Sequence, residues 1–100
     1  MVRLLLGRKY TVYSREFGII GTGELIKYFP RHIPLSETEV LRYFFNGDEE
    51  AMRSSVHTER IRHAKPFDRA VFKDLSGDHF IVPVNSQHEF VSVFDDVDEE

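Results

Sequence analysis

The sequence predicts one small α+β domain, an antiparallel sheet of about four to six strands with a central block of two to three helices. Three observations support this. Both ends of the chain carry short runs rich in Val, Ile, Tyr and Phe, separated by turn residues. The middle, from Ser36 to Pro66, carries helix-starting and helix-stopping chemistry instead. Strands that bracket a helical block, in the order β-β-(β)-α-α-α-β-β-β, argue for α+β rather than alternating α/β. A length of 100 residues fits one domain, assigned to residues 1–94 with an acidic tail at 95–100 that is expected to be disordered.

At the N-terminus, "VRLLL" and "YTVYS" flank "GRK", a three-residue hairpin loop by composition. "FGII" supplies a third short strand before a Gly21-Thr22-Gly23 turn, and "ELIKYF" reads as a short helix stopped by Pro30. In "PLSETEVLRYFFNG", Ser36 and Glu39 form a capping box, and Leu35 and Val40 stand at hydrophobic-staple positions. Val40, Leu41, Phe44 and Phe45 make an apolar stripe, and Gly47 ends the helix. Asp48 caps the next helix, with Glu49 and Glu50 in its first turn. That helix is expected to run to about Ala64, before Pro66, with Arg62, His63 and Lys65 at its negative end. Strands follow at "RAVFKDL", "HFIVPVN" and "EFVSVF", separated by Ser76-Gly77-Asp78 and Asn85-Ser86-Gln87. Pro83 cannot donate to a ladder, so its strand is expected at an edge or a bulge.

Composition excludes several functions. There is no cysteine, hence no disulfide framework, thiolate metal site or cysteine nucleophile. The longest apolar run, Leu4 to Leu6, is far below the roughly 20 residues of a spanning helix and below the roughly 7–15 of a signal-peptide core. The expectation is a soluble cytoplasmic protein without a membrane partner. Charge is unevenly distributed. Residues 1–73 carry thirteen Lys and Arg against nine Asp and Glu, whereas residues 74–100 carry eight acids and no Lys or Arg. The acidic end serves solubility, with two alternatives: attracting a basic partner, or masking the chain's own basic region.

Metal and catalytic templates fare poorly, and no cofactor or metal is expected. His57 and His63 are six residues apart, which on a helix separates them by roughly 120° rather than stacking them as a ligand pair. His63 shares a stripe with Met52 and Val56 and is expected to pack. "GIIGTGE" lacks the order of a dinucleotide loop and the Lys-Ser/Thr of a phosphate loop, and it reads as a turn. Neighbouring strand residues such as Asp78-His79 and His88-Glu89 face opposite ways. Asp68, Asp74 and Asp78 could join a histidine in a hydrolytic site only if tertiary structure assembles them. Tyr10 and Tyr13, beside Arg8 and Lys9, lie on opposite faces of a strand and form no stacking platform for bases.

The surface feature that stands out is Arg53, His57 and Arg60 at i, i+4 and i+7. With Arg62, Lys65 and Arg69 it forms the candidate partner-binding set, since arginine's planar fork suits carboxylate or phosphate. The leading expectation is a small non-enzymatic protein-binding module with a regulatory or inhibitory role, occupying a site on a charged protein partner. The first alternative is DNA binding. Helices 36–46 and 49–64 around "NGD", followed by the hairpin of 69–85, are similar in element order to a winged helix. Against it stand Asp74 and Asp78 at the wing tip, three acids opening the second helix, and a pI near 5.7. The second alternative is a small metal-dependent hydrolase or nuclease using His and Asp. A homodimer through an exposed edge near Pro83 or through Leu4 to Leu6 is also compatible with the pattern.

Overall fold

The computed structural model describes residues 4–93. Strand β1 (Lys9–Ser14) turns through residues 15–17 into the long β2 (Gly18–Phe29). The helices α1 (Glu37–Phe44), α2 (Glu49–Ser54) and α3 (Thr58–Arg62) follow, then β3 (Asp68–Lys73), β4 (His79–Val84) and β5 (His88–Ser92). All five strands form one antiparallel sheet in the order β4-β3-β2-β1-β5, so the expected α+β architecture and strand number are correct.

This order forces curvature. β4 and β5 are consecutive in the chain yet occupy opposite edges of the sheet. In a flat sheet four inter-strand spacings would part them by roughly 19 Å. The connection from Val84 to His88 reaches at most about 14 Å. The sheet therefore curls until its two edges approach, enclosing Tyr10, Val12, Leu25, Ala70, Phe72, Val82 and Phe90. Phe72 is the hub: its ring stacks on Phe80 and Phe90, with centroids 5.2 and 6.0 Å away, and meets the edge of Tyr10 at 6.2 Å. The helices cover the opposite face of β2 and β3 through a second cluster of Phe29, Leu35, Val40, Met52 and Val71. β3 is thus buried on both faces, Ala70 and Phe72 serving one cluster and Val71 the other.

The capping box is present: the Ser36 hydroxyl accepts from the Glu39 N–H at 3.1 Å and the Glu39 carboxylate from the Ser36 N–H at 2.9 Å. Leu35 and Val40 are both buried, as a staple requires. Asp48 caps α2 by accepting from the Ala51 N–H. Pro83 lies on β4, which borders only β3, and so occupies the expected edge.

Four expectations need correction. First, the described part of the expected strand "VRLLL", Leu4 to Leu6, is not strand: the Leu5 N–H donates to the Tyr10 hydroxyl and the Gly7 N–H to the Leu25 carbonyl, so these residues fold over the sheet, and the first hairpin among the described residues is β1–β2. Second, Gly21-Thr22-Gly23 is strand rather than turn. A Cβ on Gly21 would lie 3.2 Å from the Phe80 ring, and one on Gly23 only 2.7 Å from the Lys73 carbonyl oxygen. These glycines admit close neighbours. Third, "ELIKYF" is the end of β2, not a helix. The pairing register shifts between Leu25 and Lys27, and this bulge sends Leu25 and Tyr28 to the inner cluster and Ile26 and Phe29 to the outer one. Apolar pairs three residues apart therefore imitate helical spacing. Fourth, the helix expected over 49–64 is broken at residues 55–57. The Thr58 hydroxyl donates to the Met52 carbonyl at 2.7 Å and the Ser55 hydroxyl accepts from the His57 N–H, the local competition by which Ser and Thr end helices. The acidic tail at 95–100 lies outside the described residues.

The close approach at Gly23 has a measurable consequence. Gly23→Ala should destabilise the domain by about 1–3 kcal/mol in urea unfolding, because the new methyl meets backbone. Gly21→Ala should cost less, since the Phe80 ring facing it can shift. Equal stability of Gly23→Ala and the parent would contradict the packing described.

Candidate functional site

The break between α2 and α3 divides the basic stripe. Arg53 lies in the last turn of α2 and is held by Glu49 at 3.1 Å, His57 is the exposed residue before α3, and Arg60 lies on α3. They share no single helix face. Arg69 leaves the surface set altogether: it is 5% exposed, Nη1 donates to the Ile61 carbonyl at 3.0 Å, and the guanidinium lies over the Phe29 ring. Its role is to tie the end of α3 to β3. His63, expected to pack, is exposed, because the stripe it would have shared ends at the helix break. Arg60, Arg62 and Lys65 do come together. The Lys65 ammonium donates to the Arg60 carbonyl, and Arg62 reaches both Glu59 and the Leu35 carbonyl at 3.4 Å.

Where the two sheet edges converge, the curl opens a cavity of about 250 Å³ lined by Tyr28, Arg31, Asp68, Val84, Asn85, His88 and Phe90. Asp68, at the start of β3, collects three donors: the Tyr28 hydroxyl at 2.7 Å, the Arg31 N–H at 2.7 Å and the Arg31 Nε–H at 3.4 Å. Burial, followed by the bond to Asp68, pushes the Tyr28 phenol up to about 12. The same hydrogen bond, with help from Arg31 and against desolvation, holds Asp68 below the ordinary carboxylate value. Across the cavity, Asn85 Oδ1 accepts from the Gln87 N–H and lies 3.0 Å from His88 Nδ1. That backbone bond fixes the amide orientation, so His88 Nδ1 is the donor. A second depression of about 480 Å³ shares Asn85 and His88 and extends to Tyr13, Ser14, Arg15 and Glu89. The two form a groove floored by the β4–β5 turn, with a tyrosine and an arginine on each wall.

Of the candidate hydrolytic residues, Asp68 and His88 share this groove. Asp78 and His79 line a different cavity beside Arg42 and Asn46. Asp74 is committed to the β3–β4 turn, accepting from the N–H groups of Ser76 and Asp78. Among the described residues no three His, Asp or Glu side chains are grouped to hold a metal ion, and no helix is long and apolar enough to cross a membrane.

Sequence reasoning missed the tip of the β1–β2 hairpin. Phe17, Ile19 and Ile20 are 76, 66 and 42% exposed. They are nonetheless firmly presented. The Ser14 hydroxyl accepts from the N–H groups of Glu16 and Phe17, both at 3.1 Å, and the Arg15 N–H donates to the Gln87 carbonyl at 2.9 Å. Gly18, at φ 81°, supplies the left-handed residue that closes the turn. The register carries this surface across the sheet with mixed character: Ile19 pairs with Tyr13 and Tyr13 with Glu89, while Thr11, hydrogen-bonded to Thr22 through the hydroxyls, sits between Thr22 and Val91. The helices cover the other half of the sheet and leave this face open. Its sequence signal was "REFGII", a turn flanked by apolar residues with no partner strand to cover them.

A five-stranded curled sheet with helices on half of one face, a polar groove at its seam and a rigid apolar tip thus defines the molecule. No family model matches the chain, and neither does any curated protein or solved structure.

The Tyr28–Asp68 pair can be read directly. Among the four tyrosines, one should titrate near 12 in a phenolate absorbance titration. Asp68→Asn should lower that value while leaving it above 10, since burial is the larger cause. Because the folded value is raised, the contribution of Tyr28 to stability is full below pH 10 and lost as pH rises towards 12. Four tyrosines all titrating near 10 would contradict the assignment.

Proposed function

We propose that the protein is a non-enzymatic protein-binding module with a regulatory or inhibitory role, acting by occupying a site on a protein partner. The observation that carries this reading is the rigid apolar tip of the β1–β2 hairpin. Large exposed side chains that occur singly, as Leu75 and Val56 do, need no explanation. Three together on a turn locked by hydrogen bonds are different. A preorganised aromatic loses little entropy on binding and is the kind of anchor that fills a partner's pocket. The adjoining groove supplies the polar rim: Arg15 and Arg31 on its walls, Asn85 and His88 on its floor.

Affinity capture from an extract of the source cells tests this. The full chain should retain a stoichiometric protein partner, and Phe17→Ala should weaken that complex about tenfold or more, as truncation of an interface anchor does. The variant should fold normally, because Phe17 contributes little buried area. A capture profile without a stoichiometric partner, or one unchanged by Phe17→Ala with Ile19→Ala, would overturn the reading.

A further inference from the structure

After Phe29 the chain crosses back over the end of α3. The His32 N–H donates to the Lys65 carbonyl at 2.7 Å, and the Leu35 N–H to the Arg62 carbonyl at 2.9 Å. Two segments are thereby laid side by side, and both are cationic. One carries Arg31 and His32, the other Arg60, Arg62, His63 and Lys65. Arg31, His32, Arg60 and His63 are exposed, with Arg62 and Lys65 half-buried. Beneath them lies the buried guanidinium of Arg69.

The negative charge nearby is already committed. Glu59 is bridged to Arg62 and Asp68 to Arg31, while neither Arg60 nor Lys65 has a carboxylate within ion-pair distance among the described residues. Arg31, Arg60, Arg62, Lys65 and Arg69 against Glu59 and Asp68 leave a local excess of three positive charges, in a chain whose overall charge is −4. The crowding is felt at Lys65, whose ammonium is held below its ordinary value by burial and by Arg69 and Arg60.

The geometry points to this ridge as the docking face for an acidic segment of a protein partner. The proposal rests on the protein-binding reading above and supplies the chemistry of the partner. Guanidinium forks match carboxylates, and an anion placed here would relieve repulsion among side chains already fixed to backbone carbonyls. Nucleic acid fits less well. The ridge presents Ile33 and Pro34 but no exposed Phe, Tyr or Trp on which unpaired bases could stack.

The test titrates the full chain into fluorescently labelled poly-L-glutamate and, in parallel, into a labelled DNA duplex, each at low and at near-physiological salt. Polyglutamate should bind saturably, more weakly as salt rises, and more tightly than the duplex. Arg60→Glu with Lys65→Glu should reduce polyglutamate affinity about tenfold or more. Phe17→Ala should leave it unchanged, so failure of the ridge and failure of the apolar tip are read separately. Arg60→Gln with Lys65→Gln gives the same reading should charge reversal unfold the domain. No polyglutamate binding at low salt, or binding indifferent to both pairs of substitutions, overturns the proposal. Tighter binding to the duplex overturns it in favour of nucleic acid.

Discussion

The structure depends on the double burial of β3. Its central residues lie between two apolar clusters, with Phe72 holding the curled interior and Val71 receiving the helices. Phe72 touches side chains from β1, β4 and β5, so one ring couples both edges of the sheet to its centre. The curl around it closes the seam between β4 and β5, and that seam is where the groove lies. The outer cluster explains the rest of the surface. It attaches short helices to β2, β3 and β4, leaving the face made by β1, β5 and the start of β2 without a cover among the described residues. Groove and open face thus follow from one packing arrangement.

Arg69 shows how the same strand reaches the basic ridge. A guanidinium buried without a carboxylate partner is costly, and desolvation lowers its pKa. The bond to the Ile61 carbonyl and the Phe29 ring beneath it recover part of that cost. In return, α3 is fixed to β3 by a side chain rather than by apolar contact alone. No α3 residue is fully buried. A five-residue helix cannot hold its own geometry in water. The positions of Arg60, Arg62 and Lys65 are therefore set from below, by a buried charge.

The fold class was legible because its signals are local: a capping box, a staple, turn residues, and proline at an edge. What was hidden depends on partners distant in sequence. The bulge at Ile26 turns a period of two into apparent helical spacing, and nothing within "ELIKYF" reveals which neighbour imposes it. Gly21 and Gly23 read as a turn because glycine marks turns and close approaches alike, and only Phe80 and Lys73 decide between them. The break at 55–57 was in principle readable from Ser54-Ser55 followed by Thr58. Of the candidate site, Arg60, Arg62 and Lys65 were named from sequence and lie together. Arg53 and His57 belong to other elements, Arg69 is buried, and Arg31 and His32 were overlooked because their proximity to Lys65 spans over thirty residues.

The charge of the ridge stands apart from the mixed charges at the middle of β2, where Lys9 pairs with Glu24 and Glu24 with Lys73. The basic ridge borders the end of β2 at Phe29, which pairs with Arg69. Along β2, Glu24 and Phe29 are roughly 16 Å apart at strand rise, about two Debye lengths at physiological salt. In the protein-binding reading proposed above, that separation leaves the ridge to steer and orient an acidic partner as it approaches, and the apolar tip then needs only to close the contact.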